Sequence, residues 1–150
     1  MFLKPFTNYQ LQQRILMQKF QNYVVTNVIP IKIKKGGAHW YYTNISGSDC
    51  YVAITFLIAK NQIKIELIIP DSKELYLAYR SNFSKITNEL GLDIDVVGLE
   101  LPKKKRSKIC TIREFNLKNP NLKEAFNWIA QTTKKFESVF SKFWPLIENQ

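Results

Sequence analysis

The spacing of apolar residues divides the first half of the chain into one helix and four strands. Residues 8–25 carry apolar side chains at helical spacing, which predicts an amphipathic helix with Asn8 as its N-cap. The side chains assigned to its buried face are Leu11, Ile15, Leu16, Phe20 and Tyr23. Residues 28–34 change to a period of two, because isoleucines alternate there with proline and lysine. This pattern predicts a half-buried strand.

Three more strands are predicted before residue 70. Gly36-Gly37 offers the positive φ angles of a hairpin turn, and an aromatic-rich strand then covers residues 39–45. Residues 51–59 and 63–69 form the next two strands, which a short polar link joins. Four successive strands with short links are most simply paired as an antiparallel meander.

After the fourth strand, which Pro70 stops, the apolar spacing returns to that of a helix. Asp71 and Glu74 have the spacing of a capping box at its start. The apolar stripe of this second helix consists of Leu75, Tyr79, Phe83, Ile86 and Leu90. Gly91 follows at the position where glycine commonly ends a helix.

Two strands and a third helix complete the pattern. The strands are predicted over residues 93–101 and 108–115, on either side of a basic loop. The third helix is predicted to open at Asn119-Pro120 and to end or kink at Pro145. Its buried side consists of Leu122, Phe126, Ile129, Phe136, Phe140 and Phe143. The order α-ββββ-α-ββ-α predicts one α+β domain over residues 1–150, with a mainly antiparallel sheet of about six strands and three helices on one face.

The charge balance of the chain favours an anionic partner. There are 22 Lys and Arg residues against 12 Asp and Glu, which gives a formal net charge of +10. On a small domain such a charge attracts polyanions, and nucleic acid, an anionic membrane or an acidic protein could each supply the partner. The alternative is that the charge serves solubility alone.

Residues 103–108 form the densest run of positive charge, between the last two predicted strands. The basic side chains are Lys103, Lys104, Lys105, Arg106 and Lys108. Such side chains neutralise phosphates and release their counterions, which is the main source of sequence-independent affinity for DNA or RNA. We therefore expect this loop to contact phosphates. The alternative is a solvated hairpin tip, where a run of charge is easily tolerated.

A second basic strip surrounds the first predicted hairpin. Lys34 and Lys35 precede the glycine pair, and Trp40 and Tyr41 follow it. Basic residues beside aromatic ones suit single-stranded nucleic acid, because bases stack on aromatic rings. Two other interpretations stay open: lysines on an edge strand also prevent edge-to-edge pairing, and the rings of Trp40 and Tyr42 are compatible with a place in the core.

No pattern in the sequence predicts a catalytic centre, a metal site or a cofactor. His39 is the one histidine, so a histidine-based triad or zinc site lacks partners. Asp49 and Glu66 could meet in a metal-dependent nuclease, but the lysine that restriction-type nucleases carry two residues after the glutamate is absent. A nuclease is therefore the least favoured alternative.

The cysteines and the apolar segments bear on the cellular compartment. Cys50 and Cys110 lie far apart among β-branched and aromatic residues, which predicts buried thiols rather than a disulfide framework. The first residues lack the apolar centre of a signal peptide, and the longest apolar stretches have the length of strands. We expect a cytoplasmic protein that makes no contact with a membrane.

Several short segments from about Leu11 to the C-terminus form an ordered series. They are Trp40 with Ser46-Gly47, Ile65-Glu66-Leu67, Phe83 and Ile86 with Glu89-Leu90-Gly91, Lys105-Arg106-Ser107-Lys108-Ile109, and Trp128 with Phe136 and Phe140. This series resembles the bacterial family called domain of unknown function 4268 (DUF4268). Val97 departs from the pattern, since the family leads us to expect tryptophan there.

The resemblance implies a nucleic-acid neighbourhood. Members of this family are usually appended to longer bacterial proteins of DNA processing or defence, often beside nuclease-like domains, and no activity is assigned to the domain itself. We therefore expect a non-enzymatic nucleic-acid-binding accessory module, which would serve any nuclease in trans. The alternative is a protein-interaction module that docks an acidic partner or forms a homodimer through the aromatic last helix.

Overall fold

The computed structural model describes residues 7–36, 41–45, 50–69, 81–91, 95–97 and 107–148. Within these ranges the chain forms three α-helices and six β-strands. The strands are β1 (Lys34–Lys35), β2 (Tyr41–Asn44), β3 (Tyr51–Leu57), β4 (Gln62–Ile69), β5 (Asp95–Val97) and β6 (Ser107–Glu114). The helices are α1 (Asn8–Thr26), α2 (Phe83–Leu90) and α3 (Lys123–Glu148), and a short 3-10 turn, Ile58–Lys60, follows β3.

All six strands belong to one antiparallel sheet, in the spatial order β1-β2-β3-β4-β6-β5. The first four strands form the predicted meander, and β6 pairs with β4 along its whole length. Strand β5 then lies outside β6, so that β1 and β5 are the two edges of this sheet. The predicted α+β class, the antiparallel sheet and the three helices are confirmed.

The core lies between one face of the sheet and the helices. Every second residue of β3 and β4 is buried there, as the two-residue period of a strand requires. These strand residues are Val52, Ile54, Phe56, Ile63, Ile65 and Leu67. Helix α1 contributes Met17 and Phe20, and α3 contributes Phe136 and Phe140. We call this side of the sheet the helix face and the opposite side the second face.

Helix α1 differs from its prediction in its cap and in the side that it buries. Thr7 rather than Asn8 is the N-cap, because Thr7 and Gln10 exchange side-chain and backbone hydrogen bonds as a capping box. The buried residues are Gln13, Leu16, Met17, Phe20 and Val24. Leu11 and Ile15 are 44% and 55% exposed, so their assignment to the buried side was wrong. The helix is turned so that Gln13 Nε2 donates a hydrogen bond of 2.8 Å to the carbonyl oxygen of Phe56.

The predicted strand over residues 28–34 is reduced to its last part. Burial alternates as expected, with Ile31 buried between exposed Pro30 and Lys32. Only Lys34–Lys35 pair with β2, however, and residues 29–33 form no ladder. Pro30 has no N–H to donate to a ladder, and this favours the early loss of pairing.

The ends of α2 and α3 agree only in part with the helix ends that the sequence predicts. Gly91 adopts φ +58° and ends α2, as predicted. Helix α3 begins at Lys123 rather than at Asn119-Pro120, because the Asn119 side chain accepts a hydrogen bond from the N–H of Asn121 and holds a turn there. It also continues through Pro145, so of the two predicted alternatives the helix does not end at that residue, and a kink there stays a prediction. The predicted buried positions are confirmed at Leu122, Phe126, Ile129, Phe136 and Phe140.

Some predictions fall on residues outside the described ranges. These residues include Asp71, Glu74, Leu75 and Tyr79 of the predicted second helix. Within the ranges, Cys50 and Cys110 are buried and are not joined by a disulfide, as predicted. No helix in the part of the chain that the structure describes combines the length and apolar character needed to cross a bilayer.

Candidate nucleic-acid interface

Two of the predicted basic residues lie on the edge strand β1. Lys34 and Lys35 are both exposed, and they pair with Tyr42 and Tyr41 of β2, respectively. Directly paired residues project from the same face of a sheet. Lys34 therefore shares the second face with Tyr42, whereas Lys35 shares the helix face with Tyr41. The two adjacent lysines do not form one site.

The other predicted basic residues lie on a strand far across the sheet from β1 or outside the described ranges. Lys108 is on β6, where it pairs with Ile68 of β4 and Val97 of β5. Strands β1 and β6 are separated by four interstrand spacings, or about 19 Å. Trp40, Lys103, Lys104, Lys105 and Arg106 are not among the described residues. The fold thus separates Lys34 from Lys108 rather than clustering them.

Further basic side chains are exposed on many elements. They are Lys19 on α1, Lys60 in the 3-10 turn, Lys85 on α2, Arg113 on β6, Lys118 in the loop before α3, and Lys123, Lys134 and Lys135 on α3. Some of them have structural contacts: the Arg113 guanidinium lies 5.2 Å from the centre of the Phe115 ring. The positive charge of the described residues is therefore spread over the helices, the turns and one edge of the sheet.

Tyrosines form the aromatic part of the second face. The rings of Tyr42 and Tyr51 meet edge to face, with centroids 5.4 Å apart and an interplanar angle of 63°. Both rings are half-buried, whereas Tyr41 is buried in the core cluster. This burial contradicts base stacking by Tyr41, one of the interpretations that the sequence left open, and base stacking by Trp40 stays a prediction. The alternation of β2 turns Tyr41 toward the helices and Tyr42 away from them.

The charged centre of the second face is an ion pair on β4. Lys64 Nζ lies 3.3 Å from Glu66 Oε1, and the two side chains are 29% and 10% exposed. They are two residues apart on one strand and so project from the same face. The pair has the order Lys-x-Glu, which is the reverse of the nuclease pattern considered from the sequence.

The nuclease hypothesis has little further support in the described residues. No three His, Cys, Asp or Glu side chains within them are close enough together to hold a metal ion. Asp49, which that hypothesis pairs with Glu66, lies outside the described ranges, as does His39. Glu66 is buried beside the Lys64 ammonium, an arrangement that a structural ion pair explains.

An exposed apolar stripe on α1 is a surface feature that the sequence reasoning missed. Leu11, Ile15 and Val25 recur on one side of the helix, and all three are exposed. Between them Gln18 Nε2 donates a hydrogen bond of 3.2 Å to Asn22 Oδ1. The sequence did contain a signal for this stripe. The number of apolar residues in α1 is larger than a single buried face of the helix can hold.

As far as Ser141, where the description of side chains ends, the aromatic side chains of the last helix do not form a comparable surface. Phe126, Phe136 and Phe140 are buried in the core, where Phe126 packs against Phe20 and Tyr23 of α1. Trp128 is partly buried and packs against Phe115, with ring centroids 5.5 Å apart. A homodimer contact through Phe126, Phe136 or Phe140 would require the core to open.

Comparisons with known proteins bear on the family and the fold. The model of the family described as "Domain of unknown function (DUF4268)" matches residues 15–144. A crystal structure of YbjN, described as a putative transcription regulator from E. coli, has a TM-score of 0.56 and 8% sequence identity to this chain. The match covers 85% of this chain and 90% of that one, and at this identity it shows the fold alone. No curated protein matches the sequence.

Proposed function

We propose that this chain, which belongs to the DUF4268 family, is a non-enzymatic nucleic-acid-binding accessory module of the bacterial cytoplasm. The observation that carries the proposal is the net charge of +10 on a single fold. Exposed lysines on all three helices and on the edge strand leave this charge facing solvent. Such a field attracts polyanions over long range and raises their rate of association.

The proposed phosphate contacts are the basic run at residues 103–108 and the lysines of β1. The chain leaves β5 at Val97 and enters β6 at Ser107, so the basic run joins these two strands. The distance of about 19 Å from β1 to β6 corresponds to about six phosphates along one strand of a duplex. A polyanion that lies across the sheet would therefore reach both groups.

The setting we propose is bacterial DNA processing or defence, with any nuclease acting in trans. The description of YbjN as a putative transcription regulator is in keeping with a nucleic-acid role for this fold. The proposal needs no metal ion or cofactor, because the charge that binds phosphate comes from lysine and arginine side chains.

The test is a triple variant, Lys104→Ala, Lys105→Ala and Arg106→Ala, compared with wild type in oligonucleotide binding over a range of salt. We expect weaker binding and a flatter salt dependence, with the slope of log K against log salt reduced by about 2 to 3. The matched control removes three exposed charges elsewhere, Lys19, Lys85 and Lys134. Equal losses in the two triple variants, or no loss in the first, would refute the proposed contact site.

A second candidate function, the docking of a protein partner, is favoured by the apolar stripe of α1. This helix has no Asp or Glu residue, and Lys19 is exposed on it. An acidic segment with an apolar side would complement such a surface, whereas two chains of charge +10 repel each other. Light scattering should then give the mass of a monomer, and Ile15→Lys should abolish capture of acidic partners from the native host without unfolding the domain.

A further inference from the structure

We infer that the apolar stripe of α1 binds an acidic amphipathic helix of a partner protein, and that the two helices form a short coiled coil. The inference rests on the second candidate function, the docking of a protein partner, and deepens it, because it names the fold and the charge of that partner. It does not depend on the proposed binding of nucleic acid, which involves other residues.

The first support is the position of the stripe on α1. An α-helix turns by about 100° per residue, so Leu11 projects from the side opposite Phe20, at the centre of the buried face. That buried face packs on α3, on β3 and on the 3-10 turn. Leu11, Ile15 and Val25 are 44%, 55% and 76% exposed. The stripe thus faces solvent, away from the contacts that hold α1 in the fold.

The second support is the spacing of the exposed row that contains the stripe. Its residues follow the alternation of four and three that the a and d positions of a coiled coil have. They are Leu11, Ile15, Gln18, Asn22 and Val25, and all five are exposed. At 1.5 Å per residue, the row extends over about 20 Å along one side of α1. This spacing predicts that a helix, rather than an extended segment, covers the row.

The two amides in the middle of the row favour a protein helix over a lipid bilayer. Gln18 Nε2 donates to Asn22 Oδ1 at 3.2 Å, which satisfies one donor and one acceptor within α1. The remaining amide groups need hydrogen-bond partners once the row is covered. The hydrocarbon core of a bilayer offers none. A facing Asn or Gln on a partner helix would supply them, and such polar residues also specify the register of a coiled coil.

The charges of α1 and of the whole chain determine the charge of the partner. Helix α1 has no Asp or Glu, and Lys19 is exposed at a position that flanks the row. Residues that flank a coiled-coil seam pair with those of the other helix and set the choice of partner. Lys19 and the net charge of +10 would attract a helix with Glu or Asp at its flanking positions. A second copy of this chain would instead bring like charges together.

The experiment uses the full chain and two designed peptides of about three heptads, since shorter isolated helices are marginal in water. Both peptides have Ile at the a positions, Leu at the d positions and one central Asn at an a position. One carries Glu at every e and g position, and the other carries Lys there. The chain should bind the Glu peptide at least about tenfold more tightly than the Lys peptide. Circular dichroism should show a gain of helix when the Glu peptide binds.

Two variants of the chain and one of the peptide locate the contact. Ile15→Gln should weaken binding of the Glu peptide by at least about tenfold, because a large apolar side chain is lost from the seam. The matched control is Ile112→Gln, the same substitution at a residue of β6 that is 41% exposed, and it should change the affinity by less than about twofold. A Glu peptide with a central proline at an outward f position cannot stay helical and should lose binding.

These outcomes separate the inference from the functions that were proposed above. Equal binding of the proline peptide would overturn the helical partner, while the docking of an acidic segment stands. Equal affinity for the Glu and Lys peptides would overturn the acidic partner. No binding of the Glu peptide at about 1 mM, or equal losses in the two chain variants, would overturn the inference and the docking function together. Binding of an oligonucleotide, measured in parallel, should be the same for Ile15→Gln and wild type.

Two further measurements test other occupants of the stripe. Light scattering that gives the mass of a dimer, reduced to that of a monomer by Ile15→Gln, would show that a second copy covers it. Binding to phosphatidylserine vesicles that Ile15→Gln abolishes would show that a bilayer covers it. Either result would overturn the inference, whereas a monomer that ignores the vesicles supports it.

Discussion

Lys34 and Tyr42 are direct partners across the β1–β2 ladder, at the edge of the sheet and on the face away from the helices. The next pair in the ladder, Lys35 and Tyr41, projects toward the helices, and Tyr41 enters the core. The neighbouring lysines Lys34 and Lys35 therefore have different surroundings, although the sequence predicts the same role for both. This difference is what makes the candidate surface testable one residue at a time.

Val28 is the residue whose replacement we expect to stabilise the fold. It follows α1 with φ +53°, an unfavourable conformation for a β-branched residue, and it is 87% exposed. Val28 N–H donates to the Val25 carbonyl oxygen, and Ile29 N–H donates to that of Val24, as in a Schellman motif. Val28→Gly relieves the strain and should raise the free energy of unfolding by about 1 kcal/mol.

Urea denaturation of the domain measures this effect. The matched control is Val25→Gly, also exposed but inside the helix, which should lower the free energy of unfolding by about 0.5–1 kcal/mol. A lower stability of Val28→Gly than of wild type would show that the left-handed conformation of Val28 carries no strain.

Asn61 ties the turn after β3 to the chain beyond β6. It adopts φ +49°, its carbonyl oxygen accepts from the N–H of Phe115 at 2.9 Å, and its Oδ1 accepts from the N–H of Leu117 at 3.2 Å. Asn61→Gly keeps the backbone conformation but loses the side-chain hydrogen bond, at a cost of about 1 kcal/mol. Asn61→Ala should cost about 1 kcal/mol more, because it adds left-handed strain.

Thermal unfolding of the two Asn61 variants separates the contribution of the side-chain hydrogen bond from that of the left-handed strain. The Asn61→Gly variant should unfold at a lower temperature than wild type, and the Asn61→Ala variant at a lower temperature still. Equal midpoints for the two variants would mean that the conformation of residue 61 does not limit stability. A wild-type midpoint for the glycine variant would mean that the bond to Leu117 contributes nothing.

Gln13 joins α1 to the sheet from within the core. Its side chain is buried, and Nε2 donates a hydrogen bond to the carbonyl oxygen of Phe56, beyond the last β3 residue that pairs with β2. Gln13→Ala leaves that buried acceptor without its donor and should lower the free energy of unfolding by about 1–3 kcal/mol. The control Gln12→Ala is exposed and should change it by less than about 0.5 kcal/mol. Similar values for the two variants would contradict this account of how α1 is oriented.

The sequence predicts the parts of this fold that depend on local pattern. Strand β4 alternates polar and apolar residues, β3 is a nearly continuous apolar run of strand length, and Gly91 marks the end of α2, so these features were predictable. The orientation of α1 was not, because apolar residues surround it and the deciding contact is a hydrogen bond to Phe56, far away in the chain. The pattern of apolar residues therefore could not predict that Gln13 is buried.

The candidate site was predictable in its residue types but not in its geometry. The run of positive charge and the nearby aromatic residues are evident in the sequence, but which of Tyr41 and Tyr42 faces away from the core depends on the register of β2. The distance between Lys34 and Lys108 depends on strand order, since β6 pairs with β4 inside the sheet and β5 lies outside it. Neither quantity is set by residues that are close in the chain.

The measurement that tests the central claim most directly is the affinity of wild-type protein for a single-stranded oligonucleotide between about 50 and 200 mM salt. If the domain neutralises four or more phosphates, log K should fall linearly with log salt, with a slope of about −3 or steeper. Absence of binding at the lowest salt concentration, or an affinity that does not change with salt, would contradict the claim that this basic domain binds nucleic acid.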